Sequence, residues 1–232
     1  MERLDRREWL RQLRRSAEAR FDTLYAPTYD ATDAPMTDTH RRFVERVVDA
    51  CPPRGSVLDV PCGTGKYFGI VLGAGRSVVG IDRSQGMLDQ ARAKQRAVRL
   101  EKGALQDLAF EAAFDGVISV DAMENVPPED WPLVLANLAR AVRPDGLVYL
   151  TVEEVDEREI DEGYEAAVGE GLPVVRGEHA KRGGGYHHYP SRAQVHAWIA
   201  EQGLEVVESD TSPGDGYRYY HLLLQTSPSP AG

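Results

Sequence analysis

Val57-Leu58-Asp59-Val60-Pro61-Cys62-Gly63-Thr64-Gly65 is the stretch on which the reading of this chain turns. Ser56–Val60 is a short apolar run and predicts a strand. Two glycines follow, and Lys66–Leu72 reads as the start of a helix. Glycines between a strand and a helix let the backbone approach a ligand where any Cβ would collide. A G-x-G pair alone is weak. The dinucleotide fingerprint asks for a third glycine, and that position holds Phe68, which argues against pyrophosphate binding. Two acids frame the loop. Asp59 precedes the glycines, and Asp82 ends the next apolar run, Ser77–Ile81, 19 residues after Gly63, where it can bind a ribose diol.

Outward from the loop, strands and helices alternate. Ser84–Gln95 predicts a helix with Ser84 as its N-cap. Val98–Leu100 is a weak strand, and Phe114–Val120 is a strong one. Asp130–Val142 predicts a helix, Arg143–Gly146 a turn, and Leu147–Val152 another strand. Nearly continuous apolar strands separated by helices mean a mostly parallel sheet covered on both faces. Upstream, residues 3–21 predict a basic amphipathic helix, 22–38 a loop with short turns, and Thr39–Cys51 a helix. Downstream, Glu153–Glu170 predicts an acidic helix, Gly171–Gly185 a mobile stretch, and Tyr186–Tyr189 an extended segment. Ser191 and Gln194 form a capping-box pattern for a helix that Gly203 stops. Leu204–Glu208 and Tyr219–Thr226 read as closing strands around a Pro/Gly turn, and Ser227–Gly232 as a frayed tail.

The 232 residues carry 27 Lys+Arg against 37 Asp+Glu, a formal net charge of −10, with 42% hydrophobic residues. That composition fits a soluble globular protein. The acidic balance disfavours a nucleic-acid partner, which needs a basic face. Cys51 and Cys62 are too few for a disulfide framework, so a reducing, cytoplasmic setting is expected. No apolar leader and no run near the roughly 18 residues of a membrane span occurs. The charge is uneven: residues 153–170 hold nine acids against Arg158, while residues 1–20 hold seven arginines against four acids. A solvated arginine face is the simplest account of the N-terminal helix.

Asp59, the loop Cys62-Gly63-Thr64-Gly65 and the strand Val78-Val79-Gly80-Ile81-Asp82 together resemble the class I S-adenosylmethionine-dependent methyltransferases. Phe114-Asp115-Gly116-Val117-Ile118 matches the family's fourth strand. Leu138 through Gly146 matches its turn into the fifth. The resemblance covers about residues 40–152. It implies a Rossmann-like, doubly wound, mostly parallel seven-stranded sheet with one antiparallel strand, N-terminal helices and a cap inserted after the fifth strand. The expected organisation is one domain: 1–52 an N-terminal helical cap, 53–152 the cofactor core, 153–190 a substrate cap, 191–232 the closing helix and strands. The implied cofactor is S-adenosylmethionine. Gly63 and Gly65 would line its methionine moiety, Asp59 would accept from its ammonium, and Asp82 would hold both ribose hydroxyls with Arg83 beside it. Met87 would pack on the adenine, and Asp121 would sit at the methionine end. Pro61 stands where the family's first glycine is usual, which stiffens the loop entry. Ala104 stands where the family often has an acid. Adenine would then rely on the Leu105 backbone and the Gln106 amide.

Methyl transfer needs alignment and a nucleophile with an available lone pair. Substrate is expected beyond the carboxyl ends of the strands. Tyr29 is a candidate cover for the cofactor. Tyr25, Glu124, Asn125, Glu153 and Tyr186 are candidates for contact with the substrate. His187 and His188 alternate in an extended segment, so one should face inward, where an imidazole can act as base or orienter. Surface histidines on an edge segment are the equally simple account. No metal-ligand spacing is present. His40, His196 and His221 read as structural. The expected activity is methyl transfer to O or N of a small molecule, in bacterial biosynthesis, by a monomer or homodimer without nucleic acid or membrane. The alternatives are a protein or nucleic-acid methyltransferase, or a cofactor-binding regulator without turnover.

Overall fold

The computed structural model describes residues 5–32, 36–182 and 185–226. Gly183, Gly184 and the C-terminal tail of the sequence reading lie outside these. In chain order the elements are α1 (Arg6–Arg20), α2 (Tyr29–Thr32), α3 (Asp38–Ala50), β1 (Ser56–Asp59), α4 (Phe68–Gly73), β2 (Ser77–Asp82), α5 (Gln85–Lys94), β3 (Arg99–Lys102) and β4 (Phe114–Ser119). They continue with α6 (Trp131–Ala141), β5 (Val142–Glu154), α7 (Glu157–Gly169), β6 (Glu178–Ala180), β7 (Tyr186–His188), α8 (Arg192–Glu201), β8 (Leu204–Pro213) and β9 (Arg218–Thr226).

Seven strands form one sheet in the order β3-β2-β1-β4-β5-β9-β8. The first five run parallel, and β9 is antiparallel to both β5 and β8. This is the doubly wound sheet the sequence predicts. Both faces are buried, as the apolar strands require. Phe43, Val47, Phe68 and Leu88 pack on one face. Trp131, Leu135, Leu138, Val195 and Ile199 pack on the other. The helix starts follow their caps: Thr37 accepts from the His40 N–H, Ser84 from the Met87 N–H and Ser191 from the Gln194 N–H.

Four segments differ from the sequence reading. Phe21–Tyr25 is a turn of π-helix that prolongs α1, and α2 follows it, where loop was predicted. Arg143–Gly146 belongs to β5, with a register shift that absorbs the predicted turn. Glu153 and Glu154 end β5 rather than opening the acidic helix, because they pair with Tyr219 and Arg218 of β9. Within the predicted mobile stretch, β6 pairs antiparallel with β7.

The N-terminal helix is not simply solvated on its arginine face. Trp9 packs with Ala167, Leu172, Ala180 and Tyr186, so α1 docks on the cap inserted after β5. Arg6 donates to both oxygens of Glu178, at 2.8 and 2.9 Å, and to Glu129. Arg14 pairs with Asp130.

Candidate active site

The main cavity opens at the carboxyl ends of β1, β2 and β4, where a doubly wound sheet binds ligands. With its mouth it encloses about 1220 Å³. The glycine loop forms one wall. Gly63 has φ +51° and faces open space, so a side chain there would be strained and would enter the cavity. Gly65 has φ +79°, and a Cβ on it would stand 2.6 Å from the Phe68 ring. Pro61 lines the loop entry after a cis Val60–Pro61 bond.

Asp82 ends β2 and lines the cavity. Its two oxygens accept from the Gly63 N–H at 2.9 Å and the Ser84 N–H at 2.8 Å. Those bonds fix the carboxylate at the start of α5. Burial raises its pKa, partly offset by the two N–H donors. Asp59 is wholly buried beneath the loop, and neither carboxyl oxygen has a protein partner. Burial, and then the charge of Asp82, push its pKa well above the ordinary carboxylate range. It does not itself line the cavity among the described residues.

Met87, Leu105, Gln106 and Arg83 line the opposite side. Asn137 donates to the backbone carbonyls of Leu105 and Gln106 at 2.9 and 3.0 Å, which anchors this wall to α6. The Gln106 amide nitrogen donates to Asp130 at 3.0 Å, so its carbonyl oxygen is the end left for a ligand. The Arg83 guanidinium donates to the Arg14 carbonyl at 2.7 Å, which ties this wall to α1. Leu10, Leu13, Ala17 and Phe21 of the N-terminal segment close the cavity, with Tyr29 beside them. That roof was missed in the sequence, although the spacing of Leu10, Leu13 and Ala17 along one helix face was visible.

Asp121, expected at the methionine end of the cofactor, lines the main cavity. The expected substrate residues divide. Asn125 and Tyr186 reach the main cavity. Asn125 donates to Glu124 at 2.6 Å, and the Tyr186 hydroxyl donates to Glu178 at 2.5 Å. Glu124 and Glu153 are buried behind the cavity rather than in it. Desolvation, and then the nearby charges of Glu153 and Asp121, push the Glu124 carboxyl well above the ordinary carboxylate range. Tyr25 stands 45% exposed against Phe21 and lines neither cavity.

The two histidines alternate as the extended segment requires, but neither lines a cavity. His188 faces inward and is buried beside Trp131 and Trp198. Burial lowers its pKa to about 4, so it is a neutral core ring at physiological pH. His187 faces outward, with Nδ1 3.1 Å from Glu153 and 3.0 Å from the Tyr189 hydroxyl. The inward direction led into the core because α6 and α8 meet behind β7, a packing that local alternation does not encode.

A second cavity adjoins the first. It is lined by Met36, Thr37 and His40 at the start of α3, by Pro213, Gly214 and Asp215 of the β8–β9 turn, and by Tyr219. Lys66, Tyr67 and Asp121 line both cavities and mark their junction. Asp121 has φ +52° and accepts from the Tyr219 hydroxyl at 2.6 Å. Among the described residues no cluster suited to a metal ion occurs.

Residues 57–146 match a family model described as a methyltransferase domain. Nocamycin O-methyltransferase of Saccharothrix syringae is 38% identical over 56% of this chain and 49% of that protein. A sugar N,N-dimethyltransferase of Streptomyces venezuelae, acting on dTDP-3-amino-3,4,6-trideoxy-alpha-D-glucopyranose, is 27% identical over 74% of this chain and 69% of that one. The chain spans 49–60% of the length of the first curated relatives it matches. Among solved structures, 1,6-didemethyltoxoflavin-N1-methyltransferase of Burkholderia thailandensis, with 1,6-didemethyltoxoflavin and S-adenosylhomocysteine bound, superposes with a TM-score of 0.71 at 18% identity, covering 97% of this chain and 92% of that one. Its likeness is one of fold. The matched segment contains the glycine loop, Asp59, Asp82 and the strands that carry them, and over it the chain is similar to the class I S-adenosylmethionine-dependent methyltransferases.

Proposed function

We propose that this protein transfers a methyl group from S-adenosylmethionine to an oxygen or nitrogen of a small molecule, in a biosynthetic reaction of bacterial secondary metabolism. The observation that carries the reading is the cavity at the carboxyl ends of β1, β2 and β4, with Gly63 facing its open space and Asp82 on its wall. These residues fit the cofactor. An uncovered backbone at Gly63 leaves room for the methionine end, and Asp82 retains lone pairs for two ribose hydroxyls. The unpartnered carboxyl of Asp59 lies directly beneath the loop, where an ammonium group or a water would satisfy it. When bound, the cofactor supplies an electrophilic methyl group on a sulfonium.

The chain's own part is binding, orientation and exclusion of water. Leu10, Leu13, Ala17 and Phe21 cover the cavity with apolar surface. Holding nucleophile and methyl group in line removes much of the entropic barrier. The relatives named above are an O-methyltransferase and an N-methyltransferase, which supports both acceptor atoms. Calorimetry with S-adenosylhomocysteine tests the cofactor site. Release of S-adenosylhomocysteine against phenols, amines, carboxylates and glycosides tests turnover. Absence of cofactor binding to the folded chain would overturn the proposal.

A further inference from the structure

The second cavity has the features of an acceptor site, and this inference rests on the methyltransferase reading. It meets the cofactor cavity at Lys66, Tyr67 and Asp121. Asp121 follows β4 at the end where the methionine moiety of the cofactor is expected. A molecule in the second cavity would therefore approach the methyl group from the side opposite the adenine wall. The space is about 320 Å³, at the small end of the range of small-molecule sites.

His40 is the group that gives this cavity its chemistry. The residue is 3% exposed, and its Nδ1 lies 2.7 Å from the Thr37 hydroxyl. Its Nε2 is buried and has no hydrogen-bond partner. An unsatisfied buried ring nitrogen on a cavity wall is costly unless a ligand meets it. The ring is held from several sides. Tyr219 and His221 contact it edge-on, with centroids at 4.6 and 4.8 Å, and His221 is itself tied to Tyr149 and Ser212 at 2.8 Å each. The Thr37 hydroxyl can accept from Nδ1–H, which leaves a lone pair on Nε2. Burial keeps the imidazole neutral at physiological pH. The rest of the wall is Met36, Tyr67 and Tyr219, flat or apolar, with Asp121 and Asp215 set against Lys66.

We propose that the methyl acceptor occupies this second cavity as an uncharged aromatic molecule whose O–H or N–H donates to His40 Nε2. The aromatic walls select a flat ring, and the excess of carboxylates disfavours an anion. His40 thereby orients the nucleophilic group toward the junction at Asp121.

The test uses the full chain loaded with S-adenosylhomocysteine and three probes: 2-naphthol, 2-methoxynaphthalene and 2-naphthoate. 2-Naphthol should bind about tenfold more tightly than the methoxy compound, the value of one hydrogen bond, and the carboxylate should bind least. His40→Phe keeps a ring and removes Nε2, so it should erase the preference for 2-naphthol while S-adenosylhomocysteine affinity stays unchanged. Asp215→Trp, at the exposed turn, should block all three probes with the same unchanged cofactor affinity. In the unsubstituted chain the His40 Nε2 signal in a nitrogen-15 spectrum should shift with 2-naphthol and not with 2-methoxynaphthalene. If the loaded protein binds no 2-naphthol, if the Nε2 signal does not move, or if both variants bind it normally, the acceptor site lies elsewhere. If the folded chain does not bind S-adenosylhomocysteine, the methyltransferase reading fails first, and this proposal with it.

Discussion

The cofactor half and the cap are built on different principles. From β1 to β3, the groups facing the cavity sit at the ends of consecutive strands, about twenty residues from one strand end to the next. Asp82 is fixed by Gly63 and Ser84, and no distant segment is needed. The cap joins α1 to residues far along the sequence. Arg6 meets Glu178 across 172 positions, and Arg14 meets Asp130 across 116. The fully buried Glu178 carboxylate accepts from Arg6 twice, from the Val175 N–H and from the Tyr186 hydroxyl. One half is held by local backbone geometry, the other by a desolvated ion pair. The first should tolerate loss of the Arg6–Glu178 pair, because the bonds that reach it from the N-terminal segment join Asp30 to Thr64 and Asp22 to Ser84 and Gly86.

Arg6→Ala should break that division most strongly. Removing one partner of a buried ion pair leaves the other uncompensated, and about 3 kcal/mol of stability should be lost in urea unfolding. If stability is unchanged, α1 is held by Trp9 packing alone. Asp82→Ala is the converse test and should leave the cap intact. Cofactor affinity should fall about a hundredfold by calorimetry, the value of lost charge-assisted contacts. Retained affinity would remove Asp82 from the ribose site.

A third test uses pH. His188 has its pKa lowered to about 4 in the folded chain, against an ordinary value near 6.5 in the unfolded one. The unfolded state therefore binds more protons in that interval, so stability rises with pH and is lost as pH falls from 6.5 toward 4. Between pH 7 and pH 5 this group should cost about 2 kcal/mol, and His188→Phe should narrow the difference in unfolding free energy by that amount. An unchanged pH profile would show that His188 is accessible to protonation in the native state. The smallest effect belongs to the cap's surface. Glu154→Gln removes a pair with the half-exposed Arg192 at 2.5 Å and should cost less than about 1 kcal/mol. A larger loss would mean the acidic segment supports the fold.

That acidic segment illustrates what a sequence count can miss. Nine acids from Glu153 to Glu170 read as one charged helix face. In the fold Glu153 is buried on β5, Glu154 meets Arg192, Glu157 and Asp161 meet Arg176, and Glu170 binds Arg182. Distant arginines neutralise much of the block. His187 and His188 teach the same lesson. Their alternation was legible, but whether the inward face met a cavity or a tryptophan core depended on α6 and α8.

By itself the sequence determined the parallel sheet, the glycine loop with Asp59 and Asp82, and the caps of α5 and α8. Those features are encoded within one strand, turn and helix at a time, where apolar period and backbone sterics act over a few residues. Only the tertiary structure decided which side chains roof the cofactor cavity and which form the second cavity. Leu10, Phe21, His40 and Tyr219 reach these sites through chain crossings and helix packing. Burial and hydrogen-bond partners at such places are set by segments far along the chain, as Asp121 and Tyr219 are 98 apart and Arg6 and Glu178 are 172 apart.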